Sequence, residues 1–435
     1  MTNKVVGKVK DRLLEQIVSS FGLRVTYMGC TFLTSLILAR WLGATEFGIY
    51  TYTVSWSYLL GVFSTVGLDN LLVREVAVYQ NQSNWGSLRG ILTWANTVSL
   101  SFSLGMAIVA LTIASAVGMT EDTALFNAFC LAMGALPFIA LRNLRRGAMR
   151  GLQRVTLGLI PEMLIAPVAI LVAVSFTFAL ASQPVSATWC VGIYTLVTAA
   201  TLIISIAVLK KALPPGVALL APVYRSRQWL ASALPFMLIE GIYIINARVD
   251  ILMLGSLQSL ADAGIYVPVN RGAQLINFVL MAVSSALAPK IASLYAAGKL
   301  AQLEATVVKT AKLALLPTLL LATSLMVVSS QYLGLFGAEF VAGQTALIIL
   351  CLGQLFFTIT GLGGLLLNMT GNEKYTAITG GGSAILNTLL NYLFISNWGV
   401  EGAAIATSVS LLLMNICNIL LVKRKLNLKS TAIGI

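Results

Sequence analysis

Histidine is absent from the 435-residue chain, and only 10% of its residues are charged. Without histidine the chain lacks the commonest general base, the commonest transition-metal ligand and the usual pH switch of proteins. A mean hydropathy of +0.89 excludes a water-soluble enzyme, because a soluble fold cannot place so many apolar residues on its surface. The five cysteines stand singly within apolar segments, so neither a disulfide framework nor a metal cluster is expected.

Sequence motifs that support catalysis are also missing. The chain contains no G-x-x-x-x-G-K-[ST] loop, so it is not expected to hydrolyse nucleotides through a P-loop. With no histidine, no cysteine pair and no carboxylate cluster, it offers neither a catalytic constellation nor a metal site. We therefore expect a protein that is not an enzyme and that carries no bound cofactor.

Apolar residues make up 58% of the chain. They form twelve runs of roughly 16 to 24 residues, close to the ~20 that a membrane-spanning helix needs and unlike the alternating strands of outer-membrane barrels. The predicted fold is an all-α polytopic membrane protein with twelve transmembrane helices. The runs cover residues 18–38, 48–66, 91–114, 124–140, 157–180, 189–209, 233–254, 265–287, 313–328, 346–366, 376–395 and 403–421.

Basic residues are segregated along the chain. Of the 28 Lys and Arg residues, all but four lie in the two terminal segments or in alternate connections between the runs. Because cytoplasmic loops collect Lys and Arg, both termini are predicted to be cytoplasmic. The net charge of +13 then reflects topology and contact with anionic membrane lipid, and no nucleic-acid partner is expected. The opposite connections hold Arg40 and six acids, Glu46, Glu121, Asp122, Asp262, Glu339 and Glu401.

A faint internal repeat divides the chain into halves. The tripeptide Gly-Ile-Tyr at residues 48–50 recurs at residues 264–266. We predict an N-terminal six-helix bundle at 1–209, a cytoplasmic linker at 210–228 and a C-terminal six-helix bundle at 229–435. Since each half has an even number of helices, the two are predicted to be related by a pseudo-two-fold axis along the membrane normal, with a central cavity for substrate between them.

Five charged residues stand inside predicted spans: Arg24, Arg248, Arg271, Glu240 and Asp250. A charge at the centre of a spanning helix costs at least ~2.5 to 3.5 kcal/mol, so each needs a partner or a function. We interpret the three arginines as cavity residues whose forked guanidinium donors bind a phosphate or diphosphate. Glu240 and Asp250 are candidates for coupling transport to protons or another cation. In the alternative interpretation, Arg248 or Arg271 neutralises Asp250 or Glu240 in a buried pair.

Glu162 is a sixth charge in a predicted span, and it lies between Pro161 and Pro167. One interpretation places it in the cavity on a kinked helix. The other makes it a carboxylate at a helix N-terminus, close to Arg150 and Arg154. The sequence leaves both interpretations open.

Three stretches of the chain resemble a known family. The run LARWLGATEFGIYTYTVSW followed by GLDNLLVREVA, within residues 38–77, is similar to the opening of bacterial polysaccharide-biosynthesis exporters. The stretch RVDILMLG at 248–255 and the pattern GLQR at 151–154 followed by Glu162 are similar to them too. These exporters include the O-antigen and other lipid-linked oligosaccharide flippases of the multidrug/oligosaccharidyl-lipid/polysaccharide exporter superfamily.

The resemblance implies a function. Such proteins move undecaprenyl-diphosphate-linked oligosaccharides from the cytoplasmic to the periplasmic leaflet by alternating access, and a proton or sodium gradient drives them. It implies that Arg24 and Arg248, and by extrapolation Arg271, bind the diphosphate in a cationic cavity. It leaves open whether the protein works alone or beside a polysaccharide polymerase and chain-length proteins.

Two other functions remain open. One is a cation-coupled multidrug antiporter of the same superfamily, which would use membrane acids such as Glu240 and Asp250. The other is a non-transporting scaffold for a glycan-synthesis complex, which would tolerate charge swaps among the arginines.

Overall fold

The computed structural model describes the backbone of residues 2–181, 184–217 and 220–431, and side chains from residue 22 onward. Every regular element in these residues is helical. Ten helices are long and apolar enough to cross a membrane. The prediction of an all-α polytopic protein is confirmed.

Two of these ten helices are long enough to cross twice. Helix α1 covers Thr2–Ser64, which is 63 residues. Helix α15 covers Glu373–Leu426, which is 54 residues or about 80 Å, whereas the hydrocarbon core is about 30 Å thick. Each is interrupted by a glycine with non-helical backbone angles, Gly43 with φ 73° and Gly399 with φ 50°. Counting each as two segments accounts for the twelve predicted crossings.

The contacts within the chain divide it into two units. Unit 1 comprises Met1–Leu42 and Thr53–Ile244, and unit 2 comprises Gly43–Tyr52 and Ile245–Ile435. The short segment from Gly43 to Tyr52 therefore packs with the second half of the chain, although it lies early in the sequence.

Unit 1 continues from α1 through seven further helices and the first part of α9. These helices are α2 (Leu68–Asn81), α3 (Trp85–Ala116), α4 (Thr123–Gly134), α5 (Leu136–Gly151), α6 (Val155–Ile160), α7 (Ala166–Leu180), α8 (Ala187–Ala212) and α9 (Ser226–Leu257). A single π-helical turn, Pro161–Ile165, joins α6 to α7. One core cluster packs α2 against α3, α5 and α9 through Leu71, Leu88, Ile91, Leu144 and Trp229.

Unit 2 contains the end of α9 and six further helices. These are α10 (Leu260–Ala296), α11 (Leu300–Val327), α12 (Ser329–Gly334), α13 (Gln344–Ile359), α14 (Gly363–Met369) and α15. Its core cluster joins α10, α11, α14 and the end of α15 through Leu280, Ile291, Leu303, Leu366 and Val422.

The two glycines of the sequence repeat meet within unit 2. A side-chain carbon on Gly48 would collide with the backbone carbonyl of Leu260, and one on Gly264 would collide with the carbonyl of Ala44. Small residues at both positions let the two helix backbones approach closely, as they do between helices in membranes. The repeated tripeptide thus marks a packing contact as well as an internal repeat.

Two helices extend beyond the predicted apolar runs. Helix α11 begins at Leu300, before the predicted start at residue 313, and α2 occupies a connection in which no run was predicted. Both added segments are amphipathic: Leu303, Val307 and Ala311 are buried on α11, while Lys309 is not. A search for long apolar runs misses such segments, because only one helix face is apolar.

Candidate functional site

The three predicted cavity arginines lie within membrane-length helices. Arg24 is exposed on α1, while Arg248 on α9 and Arg271 on α10 are half-buried. Arg248 lies nine residues before the end of α9 and Arg271 eleven residues after the start of α10, which places each about 13 to 17 Å from that helix end. Arg271 acts electrostatically on Tyr332 of α12 within unit 2. Arg24 belongs to unit 1, and Arg248 and Arg271 belong to unit 2.

Asp250 lies at the centre of a buried polar cluster in unit 2. Its Oδ1 accepts a hydrogen bond of 2.7 Å from Nδ2 of Asn391. Its Oδ2 accepts hydrogen bonds from the Tyr266 hydroxyl at 2.8 Å and from Thr407 Oγ1 at 2.7 Å. All three donors are neutral, and Asp250 forms no salt bridge with any described residue. The structure therefore holds this carboxylate through hydrogen bonds and does not pair it with Arg248 or Arg271.

Asn387 completes the cluster around Asp250. Its Oδ1 accepts from Asn391 Nδ2 at 3.1 Å, and its Nδ2 donates to Thr407 Oγ1 at 3.1 Å. The Oδ1 atom of Asn391 is buried and has no hydrogen-bond partner among the described residues. The cluster thus offers carboxylate, amide and hydroxyl oxygens, one of them unused. Oxygen atoms of these kinds are the ligands that hard cations prefer.

Two segments of α15 contribute to this cluster. Asn387 and Asn391 are one turn apart on the segment before Gly399, so they share a helix face. Thr407 lies on the segment after Gly399. The interruption at Gly399 lets one long helix bring polar side chains to Asp250 from both of its segments.

Glu240 lies in unit 1 and contacts a different helix. Its Oε1 accepts a hydrogen bond of 2.9 Å from Nδ2 of Asn70, in the first turn of α2. Like Asp250, it forms no salt bridge with any described residue. The two predicted ion-coupling acids therefore lie in different units and have different surroundings.

A cluster of charged side chains in unit 1 centres on Arg146 of α5. Its Nη1 donates to Glu162 Oε2 at 2.7 Å, and its Nη2 lies 3.8 Å from Asp69 Oδ2. Glu162 is carried by the π-helical turn, a rare conformation that occurs frequently at functional sites. Glu162 therefore pairs with Arg146, a residue that neither interpretation of the sequence named.

Burial changes the ionisation of Asp69. It raises the pKa of this carboxyl above its ordinary value of 3.8, and the nearby Glu240 carboxylate raises it further. The Arg146 guanidinium opposes both effects but is outweighed by burial. Asp69 lies on α2, outside the membrane-length helices, and its side chain is buried.

The sequence singles out individual charges but not their neighbours. Asp250 was predicted without Tyr266, Asn391 and Thr407, and Glu240 without Asn70. Two asparagines four residues apart in an apolar run, at 387 and 391, were a signal that could have been used.

The sequence matches known family models. The model of the polysaccharide biosynthesis protein family matches residues 13–295, which is more than half of the chain, and the MatE model matches residues 235–393. Among curated proteins, the chain is 26% identical over 165 residues to the "Probable low-salt glycan biosynthesis flippase Agl15" of Haloferax volcanii. This match covers 37% of the chain and 34% of the relative, so the chain spans about a third of that protein's length.

Solved structures share the fold over nearly the whole chain. An inward-facing multidrug resistance MATE family transporter of the MOP superfamily superimposes with a TM-score of 0.72, covering 91% of this chain and 94% of the transporter. The lipid II flippase MurJ superimposes with a TM-score of 0.68, covering 93% of this chain and 87% of the flippase. Both are 14% identical in sequence, so they establish the fold alone. The chain belongs to the polysaccharide biosynthesis protein family and has the fold of MOP-superfamily transporters.

Proposed function

We propose that the protein is a flippase that moves a polyprenyl-diphosphate-linked oligosaccharide from the cytoplasmic to the periplasmic leaflet of a bacterial inner membrane. The observation that carries this proposal is the family match over residues 13–295, a stretch that includes all three intramembrane arginines. The similarity to a glycan biosynthesis flippase supports it.

The arginines supply what such a substrate needs. A diphosphate that crossed hydrocarbon without partners would carry an unpaired multiple charge, at a cost on the order of tens of kcal/mol by Born reasoning. Arg24, Arg248 and Arg271 place guanidinium groups within membrane-length helices. In our proposal they bind the diphosphate while the lipid tail stays in the bilayer.

The cluster around Asp250 is our proposed site of ion coupling. A buried carboxylate that is surrounded only by neutral donors is stabilised when it takes up a proton or binds a cation. A sodium ion would find the Asp250 carboxylate, the unused Asn391 Oδ1 and the Thr407 hydroxyl within one cluster. Glu240, which accepts a hydrogen bond from the neutral amide of Asn70, is our second candidate, for protons.

A multidrug antiporter is the second candidate function. The fold similarity to a MATE transporter and the buried acid at Asp250 favour it. An exporter of cationic drugs would be expected to lose activity when Asp250 is neutralised and to keep it when the arginines are neutralised. A glycan flippase would lose activity in both cases.

Export assays on variants separate the two functions. In cells that lack the chromosomal copy, Arg248→Ala should reduce surface glycan with the protein level unchanged, because the substrate loses a charge-assisted contact. Arg24→Lys should also impair export, because it keeps the charge but loses the guanidinium fork. Arg40→Ala serves as the control, since Arg40 is exposed on α1, close to the interruption at Gly43 and outside the predicted apolar runs. Normal export by Arg248→Ala would contradict its role in binding.

A further inference from the structure

A cavity in unit 1 offers a second cationic site, separate from the arginines considered above. It has a volume of about 170 Å³ and lies among α2, α3, α5 and α8. Arg145 and Lys210 contribute its two charges, and Asn96 contributes an amide. The remaining walls are six aliphatic side chains, among them Leu144 and Leu209, and no acidic side chain lines the cavity.

Arg145 is held in position with part of its guanidinium unused. Its Nη1 donates to Asn96 Oδ1 at 2.6 Å and to the Leu141 carbonyl at 3.0 Å. A guanidinium has five N–H donors, so the two on Nη2 and the one on Nε remain. They have no hydrogen-bond acceptor among the described residues, and no described carboxylate lies within salt-bridge distance of Arg145. A fixed cation with unused donors therefore faces a cavity that no acidic side chain lines.

Lys210 adds a second charge at the mouth of the same cavity. It lies in the last turn of α8, is exposed, and belongs to the side of the protein on which basic residues are concentrated. Its neighbour Lys211 is exposed as well but does not line the cavity. Comparing a variant of Lys210 with the same variant of Lys211 therefore separates binding in the cavity from attraction by surface charge.

We propose that this cavity binds the phosphate head group of an anionic phospholipid from the cytoplasmic leaflet. The volume is well below the about 300–1,000 Å³ of sites for whole small molecules, so it suits a head group and not an oligosaccharide. Basic pockets between transmembrane helices on the cytoplasmic side are typical sites for such head groups. The aliphatic walls suit the glycerol and the first acyl carbons, which inorganic phosphate lacks. The proposal goes beyond the flippase function and does not depend on it.

The test uses the full chain in an uncharged detergent. Phosphatidylglycerol is titrated, and bound lipid is counted by native mass spectrometry while the melting temperature is followed. Phosphatidylcholine and inorganic phosphate are the comparison ligands. The variants are Arg145→Gln, Lys210→Gln and the matched control Lys211→Gln.

We expect phosphatidylglycerol to bind and to raise the melting temperature of the wild type and of Lys211→Gln. Lys210→Gln should weaken this binding about fivefold and Arg145→Gln about tenfold, because each removes one cation from the cavity. If Arg145→Gln does not fold, the comparison of Lys210→Gln with Lys211→Gln still shows whether the lipid binds in this cavity. Equal binding by those two variants would overturn the proposal, and so would an equal effect of phosphatidylcholine or of inorganic phosphate.

Discussion

Asn391 donates a 2.7 Å hydrogen bond from Nδ2 to Oδ1 of Asp250, and its own buried carbonyl oxygen has no hydrogen-bond partner among the described residues. This relationship joins α15 to α9 inside unit 2. An unsatisfied buried acceptor is costly, typically about 1–3 kcal/mol, and in our proposal this oxygen gains its partner when the protein binds a cation. A bound cation would supply that partner to Asn391 and Asp250 together.

Neutralising Asp250 tests this interpretation. Asp250→Asn keeps the shape of the side chain but removes the charge, so transport should fall at least about tenfold, an energy of about 1.4 kcal/mol. The protein level should be unchanged. The measurement is glycan export as a function of sodium concentration and of pH. Asn391→Leu removes the unused oxygen together with the hydrogen bond to Asp250, so it should weaken the sodium dependence and also lower transport.

The control for this prediction is Glu121→Gln, which removes an exposed acid from the short helical turn before α4. It should transport normally. Wild-type transport and unaltered ion dependence in Asp250→Asn would exclude Asp250 from ion coupling.

Removing Arg146 should destabilise unit 1. Arg146→Gln leaves the buried Asp69 carboxylate and the half-buried Glu162 carboxylate without their shared cation, which should cost about 1–3 kcal/mol. The melting temperature in detergent measures the loss. Arg150→Gln, one turn later and exposed, is the matched control and should melt like the wild type.

A double variant refines the prediction for Arg146. Adding Glu162→Gln to Arg146→Gln removes the stranded charge, so part of the lost melting temperature should return. If the single variant Arg146→Gln melts with the wild type, the cluster does not stabilise the protein.

The stability of the protein should depend on pH through Asp69. Because its pKa is raised in the folded protein, the native state holds this proton more tightly than the unfolded chain does. Stability from this group is therefore greatest at low pH and is lost as pH rises from 3.8 through the raised pKa. The groups that face this carboxyl are the Arg146 guanidinium, the Glu240 carboxylate and the Thr65 hydroxyl. The two charged groups shift its pKa, and the hydroxyl donates a hydrogen bond to it.

The comparison that isolates Asp69 is Asp69→Asn, melted from about pH 4 to about pH 7. The wild type should lose melting temperature relative to this variant as pH rises. Glu240→Gln should shrink the difference, since it removes the charge that raises the pKa further. Parallel curves for the wild type and Asp69→Asn would show that Asp69 does not titrate in this range.

The close helix contact in unit 2 should not tolerate a side chain. Gly48→Ala places a carbon against the Leu260 carbonyl, so the backbones must separate and the melting temperature should fall sharply. Gly105→Ala is the control, because its added carbon meets no atom within 4 Å. In that helix interior alanine is favoured by about 1 kcal/mol. Equal behaviour of the two variants would contradict the packing contact.

The fold was predictable where a single physical effect, the transfer of long apolar segments into lipid, dominates. Runs of about 20 apolar residues predict membrane helices because, closed barrels apart, only a helix satisfies its own backbone in lipid. Helix α2 was missed because its polar face breaks the apolar run. The start of α11 at Leu300 was missed for the same reason.

The sites were predictable only as isolated charges. Arg24, Arg248, Glu240 and Asp250 stand out because a charge in an apolar run is costly. Their partners do not: Thr407 lies 157 residues from Asp250 and is neutral, so nothing local connects them. Arg146 pairs with Glu162, which lies in a π-helical turn. A regular helical repeat does not predict the direction of a side chain in such a turn.

The most direct test of the proposed flippase function is the leaflet in which its substrate lies. Lipid extracts of cells lacking this protein would be analysed by mass spectrometry, together with sidedness labelling of intact vesicles. We predict that a polyprenyl-diphosphate oligosaccharide accumulates on the cytoplasmic leaflet, and that the wild-type gene clears it while the Arg248→Ala gene does not. Absence of this lipid, with normal surface polysaccharide and heightened sensitivity to cationic drugs, would contradict the flippase and favour the multidrug antiporter.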